Sequence, residues 1–139
     1  MIGLDTNVLA RYFAQDDILQ SAQATALIES LTDAEPGFLS LVTLAELVWV
    51  MQRTYKTKKS DVVRMLQQLL QAREIVIENL EAVLQALNRF SQSRAGFADC
   101  LIERCGHGAG CRDTVTFDMD AAAAAGMRLL IAHSSKLAQ

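Results

Sequence analysis

Apolar positions recur along this chain in two periods, one short and one helical. Ile2 to Leu4 is a brief apolar run of strand length, and Asp5 follows it where a cap is needed for a helix starting at Thr6. Leu19, Ala22, Ala26 and Leu27 fall at helical spacing and predict a helix over 18–31. Pro36-Gly37 breaks it, and Phe38 to Leu41 returns as a strand. Val42 to Arg53 is apolar and helical, Tyr55 to Lys59 is a basic loop, and Ser60 is placed to cap the next helix. Val62, Leu66, Leu69 and Leu70 line one face of that helix, and Glu74 to Ile77 is a strand rich in β-branched residues. Asn79 can cap a helix in which Leu80, Val83, Leu84, Leu87 and Phe90 share a face. Phe97 to Cys105 reads as helix, Cys111 to Val115 as strand, Asp118 to Ala125 as helix and Arg128 to Ile131 as a last strand.

Strands that alternate with helices imply an α/β fold with a parallel sheet covered on both faces. The 139 residues contain no linker, repeat or low-complexity tract, so a single domain over 1–139 is expected, and 51% hydrophobic residues suffice for a core. The net charge of −3 means that nucleic acid would have to be held by a local basic patch or by a metal. The three cysteines are odd in number, and the first core segment begins at Ile2, which leaves no room for a signal peptide. Reduced thiols in a cytoplasmic protein are therefore expected, and no apolar stretch approaches membrane-spanning length.

Four acids stand in apolar company. Asp5 ends Ile-Gly-Leu, Glu46 is the one charge between Leu41 and Met51, Asp99 lies between Phe-Ala and Cys-Leu-Ile, and Asp118 closes Thr-Val-Thr-Phe. A carboxylate buried among such neighbours costs several kcal/mol, on the order of the penalty for an isolated buried charge, unless a partner offsets it. No Lys or Arg is placed as a helix-face partner for any of the four. A hard divalent cation, Mg²⁺ or Mn²⁺, is the natural partner for four oxygen donors. In an open parallel sheet, ligands sit beyond the carboxyl ends of the strands, and Asp5 and Asp118 each follow a strand directly. Taken singly, Asp5 and Asp118 also read as plain helix caps, and Asp99 as a solvent-facing acid. One or two such cations supply the charge neutralisation and activated water that phosphodiester hydrolysis needs.

Asp-Thr-Asn-Val-Leu at 5–9, Leu-Ala-Glu-Leu-Val-Trp-Val at 44–50, Phe-Ala-Asp-Cys-Leu at 97–101 and Thr-Phe-Asp at 116–118 resemble the motifs of PIN-domain ribonucleases, and more narrowly those of VapC-type toxins of type II toxin–antitoxin systems. The resemblance runs the length of the chain. It implies a PIN-like three-layer α/β/α sandwich with a five-stranded parallel sheet, and a Mg²⁺-dependent (or Mn²⁺-dependent) endoribonuclease. By the same resemblance Asp5, Glu46, Asp99 and Asp118 are the catalytic, metal-binding acids, Thr6 and Thr116 support the acid pocket, and Asn7 orients Asp5. It also implies RNA as substrate, a cognate antitoxin and a homodimer. Met119 and Asp120 stand where the family often has basic residues, and Asp120 reads as a helix N-terminal carboxylate.

The remaining chemistry-bearing residues point to less. Cys100, Cys105, His107 and Cys111 lack the spacing of a zinc site, and the cysteines read as small buried hydrophobes. His107 and His133 have no paired nucleophile, and the glycine-rich stretch 106–110 lacks the Lys-Ser/Thr of a phosphate loop. Arg53, Lys56, Lys58 and Lys59 form a solvated loop or a phosphate-contacting rim. Trp49 is expected in a core or an interface, because its helix is apolar nearly all round. Two other functions fit an acid at a strand end: an aspartyl phospho-carrier or phosphatase with Lys136 after the last strand, and a catalytically silent binding module. Asn7, where such phosphatases need a second Asp, counts against the former.

Overall fold

The computed structural model of the chain describes residues 1–130, so Ile131, His133 and Lys136 lie outside the described residues. The chain divides into two compact units, Met1–Leu84 and Gln85–Gln139. In the first unit the order is β1 (Ile2–Gly3), α1 (Thr6–Ala14), α2 (Ile18–Ser30), β2 (Gly37–Leu39), α3 (Leu41–Arg53), α4 (Lys59–Gln71) and β3 (Ile75–Ile77), and the unit ends within α5 (Leu80–Gln92). The three strands form a parallel sheet in the order β1-β2-β3, with Ile2 opposite Gly37 and Phe38 opposite Val76. Parallel neighbours need crossovers, and α1 with α2, then α3 with α4, supply them. Beyond the strand ends, Leu4 N–H donates to the Phe38 carbonyl at 3.0 Å and Glu78 N–H to the Leu39 carbonyl at 2.9 Å.

The core of this unit is aliphatic. Leu9, Leu39, Leu44, Leu47, Val62 and Leu66 are fully buried, each worth roughly 1.5–3 kcal/mol of transfer free energy. Gly37 makes this packing possible: a Cβ there would lie 2.8 Å from Leu4 Cδ1 and 2.9 Å from Leu31 Cδ1. Those two leucines close over β2 because the strand offers no side chain at that point.

The second unit holds the rest of α5, then α6 (Phe97–Gly108), β4 (Val115–Thr116), α7 (Met119–Ala124) and β5 (Arg128–Leu129). β4 and β5 pair in parallel, Val115 opposite Arg128, with α7 as their crossover. Phe90 and Phe97 meet edge to face at 5.8 Å, beside buried Cys100, Leu101 and Ala121. Gly126 turns the chain from α7 into β5 at φ 81°, a conformation that favours glycine.

The α/β expectation holds, with parallel ladders throughout. The five strands do not form one sheet: the described residues make a three-stranded and a two-stranded sheet, which corrects the expected five-stranded sandwich. β1, β4 and β5 are two residues long, and each carries a ladder on one side. Local boundaries also move. The strand expected over 111–115 is β4 at Val115–Thr116, because the end of α6 is closed by Cys111 N–H donating to the Gly106 carbonyl at 3.0 Å. α4 starts at Lys59 with Lys58 as its cap residue, so Ser60 lies inside the helix. Among the described residues no helix is long and apolar enough to cross a membrane.

Candidate active site

Asp5 follows β1 and occupies the N-cap position of α1, as its place after an apolar run predicts. Its carboxylate makes no capping hydrogen bond and is exposed. The next residue, Thr6, is 4% exposed, and its hydroxyl donates to Glu46 Oε1. A buried hydroxyl at the head of α1 thus fixes an acid on α3, 40 residues away in sequence. α3 itself is anchored at its start: Ser40 Oγ accepts from Thr43 N–H at 3.1 Å and Glu78 accepts from Leu41 N–H at 2.9 Å. These bonds satisfy N–H groups that a helix start leaves without partners. Asn7 is exposed and forms no side-chain hydrogen bond to Asp5. It lines a cavity of about 310 Å³ with Val8, Arg11 and Gln20, to which none of the four acids contributes.

In the second unit, Gly96 is the N-cap residue of α6 and has no side chain to cap with. Asp99 lies in the first turn of α6, where a negative charge is favoured by the helix dipole. Its side chain is half-buried, and burial, followed by the negative charge of Asp118, raises its pKa above the ordinary aspartate range. Asp118 is exposed and caps α7, its Oδ1 accepting from Asp120 N–H at 2.8 Å and Ala121 N–H at 3.4 Å. Thr116 Oγ1 accepts from Asp118 N–H at 3.0 Å, so this threonine holds the backbone that carries the acid. Asp120, in the first turn of α7, faces Arg94 at 3.8 Å and reads as a helix N-terminal charge.

The reason for singling out the four acids changes. They are not buried in apolar surroundings: Asp5, Glu46 and Asp118 are exposed and Asp99 is half-buried. An acid that ends a strand or sits on an amphipathic helix has apolar neighbours in sequence but not in space. The other half of the expectation holds: among the described residues none of the four forms a salt bridge. Asp16, Asp33, Asp61, Asp113, Asp120 and Glu103, by contrast, each face an arginine. As donors, the four suit a hard divalent cation, since all are carboxylates with lone pairs to spare and Asp99 and Asp118 repel each other. Asp99 and Asp118 interact electrostatically, Glu46 is tied to Thr6, the residue after Asp5, and no group of three or more His, Cys, Asp or Glu placed to hold a metal occurs among the described residues.

No disulfide links the cysteines; Cys100 is buried as expected, whereas Cys111 is exposed in the loop before β4. Of the two places expected for Trp49, the core is ruled out. Trp49 is 59% exposed, because α3 buries Leu44, Leu47, Val48 and Met51 on one side and turns Val42, Glu46 and Trp49 outward. Tyr55 is engaged too: its hydroxyl donates to Asp16 at 2.8 Å and accepts from Arg11 at 3.2 Å. Neither Arg11 nor Asp16 stood out in the sequence, since nothing local marks an arginine and a tyrosine 44 residues apart as partners.

Each unit thus has a parallel α/β ladder, with acids after β1 and β4 and early in α3 and α6, and in open α/β sheets ligands sit beyond the carboxyl ends of the strands. The family model of the PIN domain matches residues 2–127, across both units, and the chain belongs to the PIN-domain family. PIN domains are generally nucleases and usually employ divalent metal ions. No curated protein matches the chain significantly.

Proposed function

We propose that this chain is a divalent-metal-dependent endoribonuclease and the toxin of a VapBC-type toxin–antitoxin pair. The observation that carries the nuclease reading is the set Asp5, Glu46, Asp99 and Asp118. Each stands in one of the four family-like motifs, and none is neutralised by a side-chain cation among the described residues. In this reading Asp5, Glu46, Asp99 and Asp118 are the ligands for Mg²⁺ or Mn²⁺ that the family resemblance implies. When bound, the metal supplies charge neutralisation at the phosphate and a water of lowered pKa. The chain's own residues set the acids. Thr6 fixes the rotamer of Glu46, Thr116 and the α7 cap fix Asp118, and burial followed by the charge of Asp118 raises the pKa of Asp99, an effect a bound cation would oppose. RNA as substrate, a cognate antitoxin, a homodimer and a cytoplasmic location accompany this reading and rest on the family resemblance.

The test is RNA cleavage by the full chain with Mg²⁺, with EDTA, and with Asp5→Asn. Asp5 makes no capping bond, so Asp5→Asn leaves the melting temperature within about 2 °C of wild type. Cleavage is expected to need the metal and to fall by at least about 10²-fold in the variant. Cleavage at the wild-type rate by Asp5→Asn, or in excess EDTA, rejects the assignment.

A further inference from the structure

We propose that the outward face of α3 seats an unpaired nucleobase of the substrate on Trp49, one helical turn from Glu46, with the adjoining phosphates held by Arg53 and by Lys56 and Lys58 in the loop that follows it. This rests on the ribonuclease reading above and adds how a strand is gripped. Val42, Glu46, Trp49 and Arg53 recur at i, i+4, i+7 and i+11. At 3.6 residues per turn they fall within about 60° of arc, so they form one stripe along the helix. All four are exposed, and Trp49 and Val42 are 59% and 76% exposed. A large aromatic ring left in water has forgone its most favourable burial, which marks it as a surface for something else.

The setting of the indole fits a base. The Arg53 guanidinium carbon lies 5.8 Å from the ring centroid, a cation–π contact that restrains the ring. Every base has a π-face, and stacking on tryptophan is the sequence-tolerant way in which single strands are bound. Arg53 then begins an exposed basic run with Lys56 and Lys58, none of which forms a salt bridge among the described residues. In a chain of net charge −3, three cations without a salt bridge, one of them against an exposed tryptophan and two in the loop that follows, are a local electrostatic footprint for phosphates. The same face suits a second copy of the chain poorly. A two-fold contact of antiparallel α3 helices centred on this stripe would set Arg53 against Val42 and Glu46 against Trp49 of the other copy, placing both charges on apolar side chains. It would also offer only two large apolar side chains, where stable interfaces need a broad apolar core.

Trp49 is the chain's one tryptophan, so its emission reports this site alone. Full-length protein in EDTA is titrated with a fluorescently labelled single-stranded RNA, reading label anisotropy and Trp49 emission together. Binding is expected to quench the tryptophan in step with the anisotropy. Trp49→Ala is expected to weaken binding by roughly 5- to 150-fold and Trp49→Phe by only a few-fold, with unchanged far-ultraviolet circular dichroism. RNA that binds with unaltered emission, and equally to Trp49→Ala, overturns this inference and leaves the nuclease reading standing. Absence of RNA binding in EDTA overturns this inference, while the nuclease reading stands or falls by the cleavage assay with Mg²⁺. An emission shift that depends on protein concentration and not on RNA assigns the face to a second copy and overturns the proposal.

Discussion

Replacing Thr6 by valine removes one hydroxyl and keeps the volume of the side chain. Thr6 is buried at the head of α1, so valine leaves no cavity and introduces no strain there. What is lost is the hydrogen bond from Thr6 Oγ1 to Glu46 Oε1. A bond to a charged acceptor contributes about 1.5–3 kcal/mol when both groups are shut away from water. Glu46 is exposed, so water takes the place of the hydroxyl and the net cost falls to about 1 kcal/mol. For a chain of this length that is a drop in Tm of roughly 3–5 °C. The functional cost is larger. Freed from Thr6, the glutamate samples its rotamers, and loss of a partner that orients a metal ligand typically lowers metal affinity or activity by about 10–100-fold. The measurements are a thermal melt and RNA cleavage across a Mg²⁺ titration, with Thr6→Ser as the control that restores the hydroxyl. The expected result is a right-shifted Mg²⁺ curve for Thr6→Val and a near-normal one for Thr6→Ser. Wild-type metal dependence in Thr6→Val would refute the role given to this bond. A fall in Tm beyond about 10 °C would show the hydroxyl to be chiefly structural.

Two further predictions concern the second unit. Asp118 serves as cap and candidate ligand at once, so Asp118→Ala should lower stability by about 1 kcal/mol while Asp118→Asn, which keeps a capping oxygen, should not; chemical denaturation separates the two, and both should lose cleavage if the carboxylate binds metal. Asp99 holds its proton to higher pH than a free aspartate because of burial and then Asp118. Its folded-state value is therefore above its unfolded one, and stability falls as pH rises from the ordinary aspartate range through the raised value. Asp99→Asn should thus melt higher relative to wild type at neutral pH than in strong acid. A melting series across that range checks the sign, and a constant difference at all pH values would contradict it.

Most elements were legible because their signals are local. Helical spacing of apolar residues placed α2, α4 and α5, the Pro36-Gly37 break separated α2 from β2, and Asp118 caps α7 with side-chain bonds, whereas the caps Asp17 and Ser40 went unread. The four acids were legible as a set through their motifs. Burial was not. α3 carries so many apolar residues that its sequence suggests enclosure, yet its exposed stripe of Val42, Glu46, Trp49 and Arg53 follows a strict i, i+4, i+7, i+11 spacing that could have revealed it. The boundaries of β4 and α4 were misjudged because a two-residue strand and a cap without a side-chain bond leave almost no pattern to read.

The sequence alone determined the alternation of strand and helix, the family and the identity of the candidate acids, since all three rest on local spacing and motif. Tertiary structure decided which of these residues meet. Thr6 reaches Glu46 across 40 positions, Asp118 raises the pKa of Asp99 from a separate helix, and Tyr55 joins Arg11 and Asp16. It also decided that the acids face solvent and that Trp49 stays outside the core. The physical reason is the same in each case. Period and capping are properties of a few neighbouring residues, whereas exposure and pairing depend on what the rest of the chain packs against, which no local window contains.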